Sequence, residues 1–314
     1  MLSLFMRFLH LFLFSVSFIL ISFASPVWAY KVVASIPPVA SLVRAIAGEY
    51  GSVDILVDHS TSPHMYALKP SDLRKIGAAD ILFWIGPAYE AFLVKALENH
   101  AQKSVALMKA PHLQLYPLRF SDEHDHAGCH DCASISSSLP SSSSLSLDGH
   151  IWLDPDNGMQ MAQEIAARLT ILDPDHRQDY ERRLQKLKER LEYVKMEIQA
   201  TLQPYENQGF LVFHDGYQYF EKAFHLKAGQ AMTLIPDVAP SAKRLSALKR
   251  LIQKRNVQCL FAESQFPSRL VKMLSEETKI KVGMLDPVGT PDLSYEDLLF
   301  SLMKSFSACL KEKS

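Results

Sequence analysis

Four residues that can bind a metal ion are spread along this chain, each beside an apolar run or in a turn-rich loop. They are His64 in SPHMYALKPSD, His150 in DGHIWLDP, His214 in FLVFHDG and Asp286 in KVGMLDPVG. Three imidazoles and one carboxylate form a complete tetrahedral ligand set for zinc. Because the four residues lie far apart in sequence, such a site would be assembled between two halves of the chain and would hold metal only in the folded state.

These residues need elements to position them, and the chain alternates predicted strands and helices. Apolar runs such as DILFWI and FLVF predict buried strands, and the segment VASLVRAIA carries its apolar residues at helical spacing. This rhythm predicts an α/β fold with two lobes, each a mostly parallel sheet flanked by helices. Ligands of such sheets gather beyond the carboxyl ends of the strands, and His214, Glu263 and Asp286 directly follow apolar runs.

One long predicted helix joins the two lobes. From Tyr180 to Leu202, apolar residues recur at three- and four-residue steps, with Asp173-Pro174 as a start signal and Pro204 as a stop signal. At the usual rise per residue, such a helix is about 45 Å long and can lie across both lobes. The predicted domains are an N-terminal lobe over 30–172, a linker helix over 173–205 and a C-terminal lobe over 206–314.

The first 29 residues have the features of an export signal. Arg7 is the only charge before Lys31, an apolar stretch runs over 8–24, and Val27-Trp28-Ala29 fits a cleavage site. Cleavage would make Tyr30 the first mature residue, and no cysteine near this junction supports a lipid anchor. The alternative is an uncleaved membrane anchor, because the apolar run is nearly long enough to span a bilayer.

The charge balance gives no reason to expect nucleic acid or an acidic membrane as a partner. The chain has 33 Lys and Arg against 34 Asp and Glu, a formal net charge of −1. No second long apolar run follows the predicted signal, so we expect the mature protein to be soluble.

Residues 121–149 break the strand–helix rhythm. They contain a serine-rich run and a polar cluster made of His124, His126, Cys129, His130 and Cys132. Without a periodic apolar face, this segment is predicted to be a mobile loop. The cysteine and histidine spacing fits a weak second metal site. The alternative is a solvated insertion in which Cys129 and Cys132 form a small disulfide.

The other two cysteines lie in predicted regular elements of the C-terminal lobe. Cys259 is in the apolar strand VQCLFA, and Cys309 is in the last turn of a helix. In an exported protein both are reasonable disulfide partners. Two buried free thiols are the alternative.

Five segments together resemble one protein family over nearly all of the mature chain. They are SPHMYALKPSDLRKIGAADILFWIGPAYEAFL, DGHIWLDP, GFLVFHDGYQYFEKAF, CLFAESQF and MLDPVGT. They resemble the zinc-binding solute-binding proteins of high-affinity zinc ABC importers. The resemblance implies capture of zinc in the periplasm and its delivery to a membrane permease, by a protein that we expect to be monomeric and not an enzyme.

The resemblance also implies particular roles for residues of this chain. The implied zinc ligands are His64, His150 and His214. A carboxylate or water fills the fourth position, for which Asp286 is our first choice and Glu263 our second. Some zinc-type members carry an acid just before the first histidine, where this chain has Pro63, so that acid is not available here. The resemblance further implies a disulfide between Cys259 and Cys309 and a histidine-rich loop at 121–149.

The types of the candidate ligands favour some metal-dependent functions over others. Related manganese carriers tend to have a carboxylate where this chain has His214, and manganese prefers oxygen donors, so three imidazoles favour zinc over a manganese-binding homologue. A secreted zinc hydrolase is a second possibility, with water as the fourth ligand and Glu263 as the general base. A surface adhesin is a third class found among relatives. Tyr217, Asp215 and Glu221 are candidates for holding a ligand in place.

Overall fold

The architecture comes from a computed structural model, which describes residues 29–58, 61–119, 147–233, 240–254, 257–266 and 269–311. The predicted signal up to residue 28 and the histidines and cysteines of the 121–149 loop lie outside the described residues. Among the helices of the described part, none combines the length and the apolar character that a bilayer crossing requires.

The N-terminal sheet has four parallel strands in the order β2-β1-β3-β4. The strands are β1 (Tyr30–Ala34), β2 (Gly51–Ile55), β3 (Ile81–Trp84) and β4 (Ser104–Ala106). The helices of this lobe are α1 (Pro37–Ala47), α2 (Pro70–Ala78) and the short α3 (Val94–Leu97). The order of the strands reverses between β1 and β3, and the loops that leave the carboxyl ends of these two strands therefore border a crevice.

The C-terminal sheet repeats this arrangement with the order β6-β5-β7-β8, again parallel throughout. Its strands are β5 (Phe210–His214), β6 (Gln230–Thr233), β7 (Cys259–Glu263) and β8 (Lys281–Leu285). Its helices, numbered after the two long helices that precede this sheet, are α6 (Gln218–Ala223), α7 (Ala242–Gln253), α8 (Arg269–Thr278) and α9 (Tyr295–Leu310). His214 and Glu263 end two neighbouring strands at the point where the strand order reverses.

Two helices run between the sheets: α4 (Pro155–Leu172) and α5 (Arg177–Leu202). With 26 residues, α5 is about 39 Å long. Near its start Arg183 donates to the carbonyl of Ala47 (2.8 Å), at the end of α1, and further along Arg190 pairs with Glu296 on α9 (2.5 Å). The long helix is therefore fastened to both lobes, and one continuous apolar core extends from the first sheet past α5 to the α9 side of the second.

The predicted fold class, two α/β lobes with mostly parallel sheets, is confirmed, and a long helix connects them. The structure contains two elements that the sequence does not predict, helix α4 and strand β6. Helix α4 begins at Pro155 behind the N-cap of Asp154, whose carboxylate accepts from the backbone of Asp156 (2.8 Å). Strand β6 has only four residues. The IWL run after His150 is a short 3₁₀ turn, Ile151–Leu153. The three domain boundaries stay a prediction.

A disulfide ties the second sheet to its last helix. Cys259 on β7 is bonded to Cys309 on α9, 50 positions later in the chain, and both residues are buried. This bond decides between the two sequence-based alternatives for these residues, since neither is a free thiol. The bond closes a loop that includes α8, β8 and most of α9.

Replacing both Cys259 and Cys309 by alanine should lower the free energy of unfolding by about 2–4 kcal/mol, because the unfolded chain regains the freedom of the loop that the disulfide closes. Urea unfolding followed by circular dichroism measures this change. The wild-type protein unfolded under reducing conditions is the matched comparison and should lose a similar amount. An unchanged free energy in both experiments would show that the bond does not stabilise the fold.

Candidate metal centre

Three histidines from distant parts of the chain meet in the crevice between the sheets. Nε2 of His150 lies 3.3 Å from Nε2 of His64 and 3.2 Å from Nε2 of His214. One ligand atom from each of the three rings falls within a common distance of 4.8 Å. The structure therefore brings together the three histidines that the sequence singles out, and their arrangement is one that can hold a metal ion.

The ring of His150 is oriented from behind by Asp148. Oδ1 of Asp148 accepts from Nδ1 of His150 (2.8 Å) and also from its backbone N–H (3.0 Å). Both residues are buried. A carboxylate that accepts from Nδ1 keeps the proton on that nitrogen, so the lone pair of Nε2 points into the crevice.

The ring of His214 is oriented in the same way by Glu263. Oε1 of Glu263, at the end of β7, accepts from Nδ1 of His214 (2.8 Å), at the end of β5. The parallel neighbouring strands carry the two side chains out at the same edge of the sheet, and both are buried. Nε2 of His214 is therefore also a lone-pair donor directed into the crevice.

The close approach of these two nitrogens needs a positive charge between them. When each Nδ1 atom holds its proton toward a carboxylate and the rings are neutral, the Nε2 atoms of His150 and His214 present lone pairs to each other at 3.2 Å. In a tetrahedral zinc site with Zn–N bonds of about 2.0–2.1 Å, ligand nitrogens lie about 3.3 Å apart. The observed separations match that spacing, so the two rings are positioned for a shared cation.

His64 is held differently from the other two rings. It lies in a 3₁₀ turn, Pro63–Met65, in the long loop after β2, and it is only half-buried. Within the described residues, no carboxylate accepts from its Nδ1. Its ring instead packs edge-to-face against Tyr89, with centroids 4.9 Å apart. Two of the candidate ligands are thus fixed by charged hydrogen bonds, and the third is fixed mainly by packing.

Aromatic rings and backbone enclose the site. Tyr89 contacts the rings of both His64 and His150, and Phe266 lies against His214 with centroids 5.6 Å apart. On another side the backbone of Gly216 approaches so closely that a Cβ there would lie 2.4 Å from Nε2 of His214. An enclosure of this kind excludes water, and it strengthens electrostatic interactions inside it.

The charges around the site favour a bound cation. Burial, together with the neighbouring rings of His150 and His214, holds the pKa of His64 well below its ordinary value, so this ring is neutral. Burial alone would lower the pKa of His214, but the carboxylate of Glu263 outweighs it and the net shift is upward. Burial likewise opposes ionisation of Asp148, and the contact with His150 outweighs it, so its pKa falls. The two buried carboxylates supply negative charge next to the cluster, and a divalent ion would balance that charge.

Neither candidate for the fourth ligand is among the clustered donor atoms. Oδ1 of Asp286 accepts from the backbone of Val288 (3.0 Å) and Gly289 (2.9 Å), and more weakly from Gln265 (3.4 Å). Oε1 of Glu263 accepts from Nδ1 of His214, so in this arrangement its carboxylate orients a candidate ligand. Glu263 as the alternative fourth ligand stays a prediction. Asp286 as the fourth ligand stays a prediction.

Three further candidates for holding a ligand in place have other contacts. Asp215 and Glu221 both pair with Arg119, which precedes the undescribed segment. Burial and the nearby carboxylates of Glu263 and Asp286 raise the pKa of Tyr217 well above its ordinary value. The hydroxyl of Tyr217 and Oε2 of Glu263 are buried polar atoms without a hydrogen-bond partner in the described part of the chain.

The sequence interpretation missed the partner of His150. Asp148 stands two positions before it in the DGH triplet, close enough for one carboxylate oxygen to accept from both the backbone and the ring. That spacing was the available signal. Gln218 and Tyr219, which contact Asp148 from α6, carry no comparable signal because their partner lies 70 and 71 positions earlier.

Comparison with known proteins agrees with this geometry. Residues 32–312 match the family model of zinc-uptake complex component A, periplasmic (ZnuA). The high-affinity zinc uptake system protein ZnuA of Brucella suis is 34% identical over 307 residues, which cover 90% of this chain and 92% of that protein. The protein of the same name from Yersinia pestis is 32% identical over 290 residues, covering 89% and 91% of the two chains.

A crystal structure of ZnuA superimposes with a TM-score of 0.75 at 24% identity, covering 90% of this chain and all of that one. At this identity the superposition is evidence of a shared fold. The family match spans nearly all of the described structure, and the curated relatives align over nine-tenths of their own length. The chain therefore belongs to the ZnuA family of periplasmic zinc-uptake components.

Proposed function

We propose that this chain captures a zinc ion between His64, His150 and His214 and delivers it to the membrane permease of an ABC importer. The observation that carries the proposal is the convergence of three Nε2 atoms, two of them fixed by buried carboxylates. Imidazole nitrogen is a donor that zinc accepts readily, whereas manganese favours oxygen. The names of the relatives, high-affinity zinc uptake proteins, support the same assignment.

Asp286 supplies the fourth ligand in this proposal. Its Oδ1 is held by two backbone N–H groups of the following turn, and this places the carboxylate at the carboxyl end of β8. Within the described residues no hydrogen bond occupies Oδ2, which is the atom that we assign to the ion. The site would then be closed by four protein ligands, as in zinc sites that bind the ion without carrying out a reaction on it.

Export to the periplasm is part of the proposal, with residues 1–29 as the cleaved signal. The fold is consistent with cleavage there, since Tyr30 starts β1, is buried and bonds through its hydroxyl to that of Tyr180 (3.0 Å). The description of the matching family as periplasmic supports the same location. The permease would receive the ion from His64, which is the most exposed and least constrained of the three rings.

A hydrolase gains no support from the site. Its general base would have to be Glu263, but one oxygen of that carboxylate is bonded to Nδ1 of His214 and lies behind the ring. A general base must reach a water on the metal side of the ligands. We therefore propose transport rather than catalysis as the role of the bound ion.

Replacing His214 by alanine should weaken zinc binding by more than about a hundredfold, because loss of a ligand must cost more than loss of its orienting partner, which typically costs 10- to 100-fold. Competition with a chromophoric chelator measures the dissociation constant. The matched control is His100→Ala, since His100 lies before β4 and therefore at the opposite edge of the sheet. Wild-type affinity in the His214 variant would remove this residue from the site.

Replacing Glu263 by glutamine should weaken zinc binding about tenfold or more while the fold is kept, because a neutral amide holds the Nδ1 proton of His214 less strongly than a carboxylate does. The same chelator competition reports the change. Glu206→Gln is the control, since Glu206 accepts a hydrogen bond from Gln199 outside the site. Equal affinities for the Glu263 variant and the wild type would show that the carboxylate has no influence on the ion.

A further inference from the structure

We propose that Gln218 is a positioning residue for the metal site, acting on His150 through Asp148. This inference rests on the proposed zinc-binding function. Gln218 opens α6, only four positions after His214, yet its side chain reaches the carboxylate that orients a different ring. One residue next to the His214 strand thus controls the orientation of a ligand that comes from the N-terminal half of the chain.

The side-chain amide of Gln218 makes two hydrogen bonds. Its Nε2 donates to Oδ2 of Asp148 (3.2 Å) and to the carbonyl of Pro117 (3.1 Å). Both acceptors are oxygens that can only accept, so the NH₂ group and not the amide oxygen faces them. A side chain at this position must therefore supply two N–H donors from the end of a stem as long as that of glutamine.

Each oxygen of Asp148 has a separate task. Oδ1 accepts from the backbone and Nδ1 of His150, and Oδ2 is held by Gln218. Asp148 is about 1% exposed and Gln218 about 4% exposed, so water cannot readily replace the amide. A buried charged oxygen that loses its donor is costly. The carboxylate would then turn to satisfy Oδ2, and the ring of His150 would lose its fixed orientation.

The backbone at Asp148 is secured independently of Gln218. Its N–H donates to the carbonyl of Tyr116 (2.9 Å), and its carbonyl accepts from the hydroxyl of Tyr219 (3.0 Å). Loss of the Gln218 amide should therefore release the Asp148 side chain without releasing the chain that carries it. This separation distinguishes a positioning role from a general contribution to folding.

The test replaces Gln218 by methionine, which has a similar length and no donor. Zinc affinity, measured by chelator competition, should fall about tenfold, the lower end of the range for partners that orient a ligand. Nitrogen chemical shifts of the metal-free protein should show that the proton of His150 is no longer confined to Nδ1. Gln199→Met, which breaks a glutamine–carboxylate bond on α5, is the matched control and should bind zinc like the wild type.

Dependence on Asp148 provides a second criterion. In an Asp148→Ala background, Gln218→Met should cause no further loss of zinc affinity, because the two residues act through the same carboxylate. If the methionine variant does not fold, Gln218→Asn, which withdraws the amide by one methylene, should weaken binding in the same direction. Wild-type affinity and an unchanged His150 proton in the variant that folds would overturn the inference.

The failure of this inference and the failure of zinc capture have different signatures. If Gln218→Met binds zinc like the wild type while His150→Ala does not, the positioning role is wrong and the metal site stands. If neither replacement changes zinc binding, the site itself is wrong and the positioning role fails with it.

Discussion

The site depends on two hydrogen bonds in which a buried carboxylate holds the rear nitrogen of an imidazole. Asp148 and Glu263 fix the protons of His150 and His214 on Nδ1, and this leaves two Nε2 lone pairs facing each other at 3.2 Å. Such an arrangement is unfavourable without a cation and favourable with one. The same two carboxylates supply the negative charge that a divalent ion needs in an enclosure with little water.

The fold supplies this constraint through its strand order. Because β5 and β7 are neighbours at the reversal point of the second sheet, their last residues, His214 and Glu263, meet without any loop between them. The hydrogen bond between Asp148 and His150 is local, within an Asp-Gly-His triplet. Helix α6 holds Asp148 in place through hydrogen bonds from Gln218 and Tyr219. A continuous apolar core and the long α5 helix hold the two sheets in place relative to each other. The ligands therefore need not be brought together by a large movement of the two lobes. Only His64, on its loop, departs from this rigidity.

The residues that could be predicted from sequence are those with a strong local signal. A histidine directly after a buried strand, as at His214, is placed at the carboxyl edge of a sheet by the strand alone. The disulfide partners stood in predicted elements, a strand and a helix, and needed only the correct topology to meet. Glu263 is predicted at the same edge for the same reason, but its contact with His214 could not be predicted, because a strand-end position does not show which nitrogen of a neighbouring ring a carboxylate contacts.

The features that were missed depend on tertiary contacts or on weak patterns. Gln218 is meaningful only because the chain brings Asp148 back to it after 70 positions. Strand β6 is too short, and too poor in β-branched residues, to be recognised without its neighbour β5. Helix α4 opens with Pro155, Asp156, Asn157 and Gly158, which read as a turn until the N-cap of Asp154 is seen in place.

The most direct test of the account is X-ray absorption spectroscopy at the zinc edge on the wild-type chain loaded with one equivalent of zinc. The account predicts a four-coordinate ion whose spectrum shows three imidazole ligands, with nitrogen and oxygen scatterers at about 2.0–2.2 Å and no sulfur. A sulfur shell at about 2.3 Å would place the ion on cysteine instead, and fewer than three imidazoles would break the set formed by His64, His150 and His214.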